Sequence, residues 1–206
     1  MNAKETDLLK KTPTEYDIHP LIKNRWSPRK FADTPITETD LNHLFEAGRW
    51  APSCYNWQPW RIVWGIKGSE TYDRIFSHLS EFNKDWVINA PVLLLTAYKK
   101  TTPEGKDNFH ALHDLGQFVA MMSIQAQHMG IAVHQMAGVN PDKAKAEFGF
   151  PEEYHVATAV ALGHYGGDMD DLSDDLKDQE KAERSRNRVE YFTFQGNYVD
   201  RAELDK

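Results

Sequence analysis

One cysteine, Cys54, is all that 206 residues contain, so no internal disulfide is available and a reducing compartment fits. Basic residues are in deficit: 24 Lys and Arg against 31 Asp and Glu leave a net charge of −7. No surplus exists to neutralise a phosphate backbone, which argues against nucleic acid as the main partner. No apolar run approaches the roughly 20 residues of a membrane span. The opening MNAKETDLLKKTPTEYD has no apolar segment and does not read as a secretory signal, so a cytoplasmic location is expected. The common phosphate loops GxGxxG and GxxxxGK[ST] are missing, as are GxSxG and HExxH. Gly163-His164-Tyr165-Gly166-Gly167 reads as a turn and only weakly as an anion nest.

What is present suffices for an ordinary core: 40% hydrophobic residues, 12% of the chain aromatic. The length fits one domain over residues 1–206, with a flexible stretch at 1–13. Thr14 is a candidate cap for a short helix carrying Ile18, Leu21 and Ile22. Arg25 to Pro35 holds two prolines and reads as a loop. Thr37, with Asp40 three residues on, predicts a capping box and a helix burying Leu41, Leu44, Phe45 and Gly48. Strands are expected at Trp60–Ile66, Val92–Tyr98 and Val156–Leu162, the second buried on both faces. Helices are expected at Thr71–Leu79 and, the longest, from about Asn108 to Met129, stopped by Gly130. The acidic run Asp168–Glu183 reads as a solvated linker or surface helix, and Val189–Phe194 as a terminal strand. This order predicts a mixed α/β layer structure around a sheet, without strict βαβ alternation.

Three segments have the chemistry of a site. Arg25-Trp26-Ser27-Pro28-Arg29 sets two guanidinium groups and a hydroxyl within five residues, a pattern that can converge on one phosphate. By itself, a solvated basic turn is the simpler reading. Ala51 to Trp60 sets Ser53, Asn56 and Gln58 among two prolines and two tryptophans, which suits a flat heteroaromatic ligand or a helix stop followed by core aromatics. Arg184-Ser185-Arg186-Asn187-Arg188 either balances the acidic run or completes a phosphate site. His134-Gln135-Met136-Ala137-Gly138 is equally a short strand with one satisfied histidine or a ligand-facing backbone. Cys54 has no identifiable base and reads as a bystander. His110, His113 and Asp114 have zinc spacing but no further nameable ligand, and Asp168-Met169-Asp170-Asp171 lacks the rest of a calcium loop. No metal site is expected.

Taken in order, these segments resemble the FMN-dependent nitroreductase family. The resemblance rests on Arg25 to Phe31, on Ala47-Gly48-Arg49-Trp50-Ala51-Pro52-Ser53 with Asn56 and Gln58-Pro59-Trp60-Arg61, and on Asn83 to Trp86 before Ala90-Pro91. It continues through Asp114 to Gln117, Gly130 to Gly138, and Arg184 to Arg186, and spans roughly residues 20 to 198.

The resemblance implies an α+β nitroreductase-like fold with a central, mostly antiparallel sheet flanked by helices. It implies a homodimer with FMN at the interface, in which residues 168–206 form an acidic linker and an extension that gives a C-terminal strand to the partner subunit. Arg25, Ser27 and Arg29 would hold the phosphate and ribityl chain, joined by Arg184 and Arg186. Asn83 would bond the pyrimidine edge, Pro52, Ser53 and Asn56 would come from the other subunit, and the Met136, Ala137 and Gly138 backbone would flank the ring. Trp26 and Gln135 complete the expected cofactor contacts. Many relatives have an acidic residue where Ala137 stands, which leaves the backbone role intact. The implied activity is ping-pong hydride transfer from NADH or NADPH through the flavin to a small oxidised molecule such as a nitroaromatic or quinone, with no catalytic side chain. A flavin-storing or sensing protein without turnover, and a metal-dependent hydrolase built on His110, His113 and Asp114, are the competing expectations.

Overall fold

The computed structural model describes residue 10 and residues 12–198. Seven α-helices are present among them: α1 Pro20–Asn24, α2 Glu38–Arg49, α3 Glu70–Ser77, α4 Glu81–Val87, α5 Ala111–His128, α6 Pro141–Glu147 and α7 Asp174–Lys181. The strands are β1 Trp60–Ile66, β2 Val92–Lys99, β3 Ile131–Met136 and β4 Tyr154–His164. They form one antiparallel sheet in the order β1-β2-β4-β3, which leaves β3 at an edge. No helix among the described residues is long and apolar enough to cross a membrane.

The period-two alternation of β2 builds two cores. Leu93, Leu95 and Ala97 face one cluster, with Phe31, Ile75, Trp86 and Leu176. Val92 and Leu94 face the other, with Leu41, Leu44, Leu115, Phe118 and Met122 of α2 and α5. The sheet is therefore covered on both sides, as the unbroken apolar run of β2 predicts. The Thr37 capping box is present, with Thr37 Oγ1 accepting from the Asp40 N–H at 3.1 Å and Asp40 Oδ2 accepting from the Thr37 N–H at 2.8 Å. Gly48 lets α2 cross α5 closely, since a Cβ there would stand 2.6 Å from the Phe118 ring.

Several expectations need correction. Thr14 caps nothing; α1 starts at Pro20, and His19 Nδ1 accepts from the Leu21 N–H at 3.2 Å. A proline lacks the N–H that an interior helical position needs, so a helix running through 18 to 22 is excluded. Val189–Phe194 is not a strand: Val189–Tyr191 is a single 3₁₀ turn, and the Glu15 carboxylate takes the Val189 N–H at 2.9 Å. That donor is thereby withdrawn from any ladder. The acidic run contains α7, which docks through buried Leu176 and Glu180. Most of the stretch expected to be flexible, residues 1–9 and 11, lies outside the described residues. Lys10 is tethered, donating to the carbonyls of Gln179 at 3.3 Å and Ala182 at 3.0 Å. Strand β3 realises the short-strand alternative for the His134 segment, starting earlier, at Ile131, and the short helices α4 and α6 were missed, being too brief for a periodic pattern to declare itself.

Candidate functional site

The arginine loop passes over the edge strand. Phe31 bridges to Tyr165, and the Ala32 N–H donates to the His164 carbonyl at 3.0 Å, which ties the loop to the end of β4. Gly163 permits the approach, because a Cβ there would lie 2.5 Å from the Phe31 ring. Trp26 and Pro28 point inward and are buried, whereas Arg25, Ser27 and Arg29 stay half-exposed. Trp26 stacks on Tyr165 with ring centroids 6.0 Å apart. Buried apolar and half-exposed polar side chains thus alternate along the loop.

The cations gather from both ends of the chain. Arg25 Nη1 donates to Ser27 Oγ at 3.3 Å. Burial and the neighbouring Arg186 push the Arg25 guanidinium's pKa below its ordinary value, and burial with Arg25 and Arg186 does the same for Arg184. Among the described residues no carboxylate forms a salt bridge with Arg25, Arg29, Arg184 or Arg186. Arg29 Nε is buried and has no hydrogen-bond partner. Arg25, Arg184 and Arg186 line one cavity of about 780 Å³ together with Tyr16, Ile22 and Phe192. That volume is in the range of small-molecule sites, roughly 300–1,000 Å³. Glu15, the carboxylate that also lines this cavity, is paired with Arg188 at 2.8 Å, which leaves the partly desolvated Arg25 and Arg184 guanidinium groups without an anionic partner there.

Arg184 has a second employment. Its guanidinium donates to the carbonyls of Lys23 at 2.9 Å and Arg25 at 2.8 Å, and to Thr12 Oγ1. It therefore shapes the loop as well as charging the cavity. Arg186 is exposed and its Nη1 reaches only the adjacent Ser185 carbonyl, at 2.7 Å.

The other predicted groups sit at the far end of β3. Asn83, buried on α4, donates from Nδ2 to the Gly138 carbonyl at 3.1 Å, and the Ser80 N–H donates to the same oxygen at 2.8 Å. Asn83 Oδ1 and the N–H groups of Ala137 and Gly138 form no hydrogen bond among the described residues. Gly138 is required sterically, since a Cβ would meet both Asn83 Nδ2 and Ser80 Oγ at 2.5 Å. Gln135 and Ala137 are exposed, and Met136 is buried. Sequence reasoning assigned no role to Trp86 or Glu180, whose contacts depend on which strand and loop they face; it left His134 open between a satisfied strand histidine and part of a ligand-facing segment, and its ring has a partner in the Pro28 carbonyl.

The Pro52 to Gln58 loop stands apart, with no hydrogen bond to the arginine loop among the described residues. Buried Asp114 anchors it, its Oδ2 accepting from the Cys54 N–H at 3.0 Å. Tyr55, Asn56 and Gln58 adopt positive φ of 48°, 57° and 49°, a strained run of the kind that clusters at functional sites. Ser53 Oγ accepts from the Gln58 N–H at 3.2 Å, and Pro52 and Asn56 face outward.

Fold and site together define a class: an antiparallel α+β domain with a cationic cavity between the segment 12–25 and the arginines at 184–188. The model of the nitroreductase family matches residues 22–164, and the chain belongs to that family. A solved oxidoreductase containing FMN is 32% identical, with a TM-score of 0.86 over 91% of this chain and 96% of that one. A nitroreductase family protein from Clostridium difficile 630 shares the fold at 23% identity and a TM-score of 0.66, over 86% of this chain and 97% of that one. A Streptomyces coelicolor protein provisionally named NADH dehydrogenase/NAD(P)H nitroreductase is 28% identical over 161 residues, 66% of this chain and 77% of that protein.

Proposed function

We propose that this chain binds FMN and uses it to pass reducing equivalents from NADH or NADPH to a small oxidised acceptor, a nitroaromatic, a quinone or a related compound. One observation carries the proposal: Arg25, Arg184 and Arg186 line one cavity whose one carboxylate, Glu15, is already paired with Arg188, and Arg29 of the same loop keeps a buried Nε without a partner. A phosphomonoester supplies the anion this arrangement lacks.

The residues present fit that cofactor. Arg25, Ser27, Arg29 and Arg186 would hold the phosphate and ribityl chain, with Trp26 as the buried footing of the loop and Arg184 both charging and shaping it. Asn83 Oδ1 and the unpaired N–H groups of Ala137 and Gly138 offer an acceptor and two donors to the edge of a heteroaromatic ring. Bound FMN supplies the two-electron chemistry, and reductant and acceptor use one place in turn, a ping-pong cycle. The protein binds and orients; no side chain is assigned a proton-transfer or covalent step.

Pro52, Ser53 and Asn56 enter through a homodimer. The exposed face of α5 supports this, because Leu112, Gly116, Ala120 and Met121 leave an apolar stripe without a partner, next to exposed Phe109. A patch of this kind marks an association surface.

The decisive experiment compares the purified chain with Arg25→Ala/Arg29→Ala. The wild type is expected to be yellow, to be bleached by NADH or NADPH in a stopped-flow trace, and to bind FMN at least about tenfold more tightly than the variant. Equal FMN affinity of the two proteins refutes the phosphate assignment. Flavin that binds but is bleached by neither nicotinamide replaces the reductase with a flavin-storing or sensing protein.

A further inference from the structure

Strand β3 alternates, and Ala132, His134 and Met136 share the face that carries Trp86. Ala132 and Met136 are buried and apolar. His134 is the polar residue between them, its ring 4.5 Å from that of Trp86. Its Nδ1 lies 2.9 Å from the Pro28 carbonyl oxygen. A carbonyl only accepts, so Nδ1 bears the proton. Burial pushes the His134 pKa down to about 4, with Arg29 and Arg25 adding to that push against the Pro28 bond, and the ring is neutral near pH 7.

The Pro28 carbonyl and the Arg29 N–H belong to one peptide unit. His134 holds the oxygen end. Glu180, buried on α7, holds the hydrogen end, its two carboxylate oxygens 3.2 and 3.1 Å from the Arg29 nitrogen. A planar peptide gripped at both ends cannot rotate about its flanking bonds. Those bonds set where Arg29 points, and through the fixed φ of Pro28 they set where Ser27 points. Neither grip uses the Arg29 guanidinium, which is left for a ligand.

We infer that His134 is a positioning residue for anion binding: with Glu180 it clamps the Pro28–Arg29 peptide and so aims Arg29 and Ser27 at the cofactor's phosphate. The inference rests on the phosphate role proposed for those two residues. It predicts an effect confined to the phosphate, since His134 touches the loop through a carbonyl and not through the site's ring-facing groups.

The test measures dissociation constants of the apoprotein for FMN and for riboflavin, which lacks the phosphate, by flavin fluorescence. His134→Gln carries its amide N–H beyond the Nδ1 position and is expected to lose about tenfold in FMN affinity, the scale of one hydrogen bond, while riboflavin binding changes less than about twofold. His134→Asn places an amide N–H where Nδ1–H stood, and is expected to recover the wild-type ratio of FMN to riboflavin affinity within about threefold. Equal weakening toward both flavins, identical behaviour of the two variants, or no change in either overturns the clamp. Where the glutamine variant fails to fold, the asparagine variant decides: a wild-type ratio supports the clamp and a tenfold fall overturns it. A wild type that binds both flavins equally refutes the phosphate site itself, a different result from a failed clamp on a working site.

Discussion

The guanidinium of Arg184 donates to the carbonyl of Arg25 across 2.8 Å, joining residues 159 apart in sequence. The C-terminal arginines thus divide their work. Arg184 builds the loop that carries Arg25, and Arg186 contributes charge.

Arg184→Ala leaves the Arg25 carbonyl and Thr12 Oγ1 without a donor, and the Lys23 carbonyl with the Thr12 hydroxyl alone, and is expected to lower stability by about 1–3 kcal/mol, together with FMN affinity. Arg186→Ala is exposed and is expected to change stability by less than about 0.5 kcal/mol while weakening FMN severalfold. Thermal midpoints and flavin titrations separate the two. Equal midpoints with equal losses of FMN affinity count against the division.

Glu180→Ala removes both acceptors of the Arg29 N–H and opens a gap beside Leu176 on α7. Urea unfolding is expected to show a loss of about 1–3 kcal/mol, the cost of leaving a desolvated donor unpaired. Glu180→Gln keeps an acceptor and is expected to recover most of it. Wild-type stability of the alanine variant would show that α7 does not support the loop.

His134 makes stability depend on pH. Its folded pKa of about 4 lies below the ordinary 6.5, so the unfolded chain binds more protons between those values. Stability from this group is full above about pH 6.5 and is lost as pH falls toward 4, by on the order of 2–3 kcal/mol. Glu180 acts oppositely: burial raises its pKa, so its contribution is present below the ordinary carboxylate value and is lost as pH rises through the folded one. Urea midpoints of the wild type and His134→Asn at pH 5 and 7 should converge at the lower pH. Parallel curves would mean that His134 titrates normally.

Gly48→Ala and Gly138→Ala introduce the same methyl group into different places. The first meets the Phe118 ring at 2.6 Å and is expected to cost about 1–3 kcal/mol of stability with FMN affinity unchanged. The second meets Asn83 Nδ2 and Ser80 Oγ at 2.5 Å and displaces the Asn83 amide, so weaker binding of both FMN and riboflavin is expected. A Gly138→Ala protein with intact flavin affinity argues against the placement of Asn83 and Gly138 at the ring.

Met121→Glu sets a charge in the middle of the exposed α5 stripe. Sedimentation is expected to shift from dimer toward monomer, with FMN affinity falling alongside, because residues of the second subunit then leave the site. A wild type that sediments as a monomer disposes of the dimer.

Long periodic elements were legible in the chain itself. Helices α2 and α5 and strands β1, β2 and β4 follow from apolar spacing, the Thr37 capping box and Gly130, because these signals act through neighbours a few residues apart. Short elements were not. α4 and α6 have two turns each, and their existence depends on what covers them. The Val189–Phe194 stretch has strand-forming residues, but Glu15 takes the donor that a ladder would need.

The site divides along the same line. Residue order singled out Arg25, Ser27, Arg29, Gly138, Arg184 and Arg186, since clustered arginines and a glycine beside polar groups mark their chemistry locally, whereas Asn83 came only from the family resemblance. Which of them are free to bind was decided only in three dimensions. Arg184 turned out to hold carbonyls, Arg29 to keep an unpartnered Nε, and Pro28 to be gripped by a histidine 106 residues away. A side chain's hydrogen-bonding partners are set by the packing of distant segments, and composition and spacing carry no record of that packing.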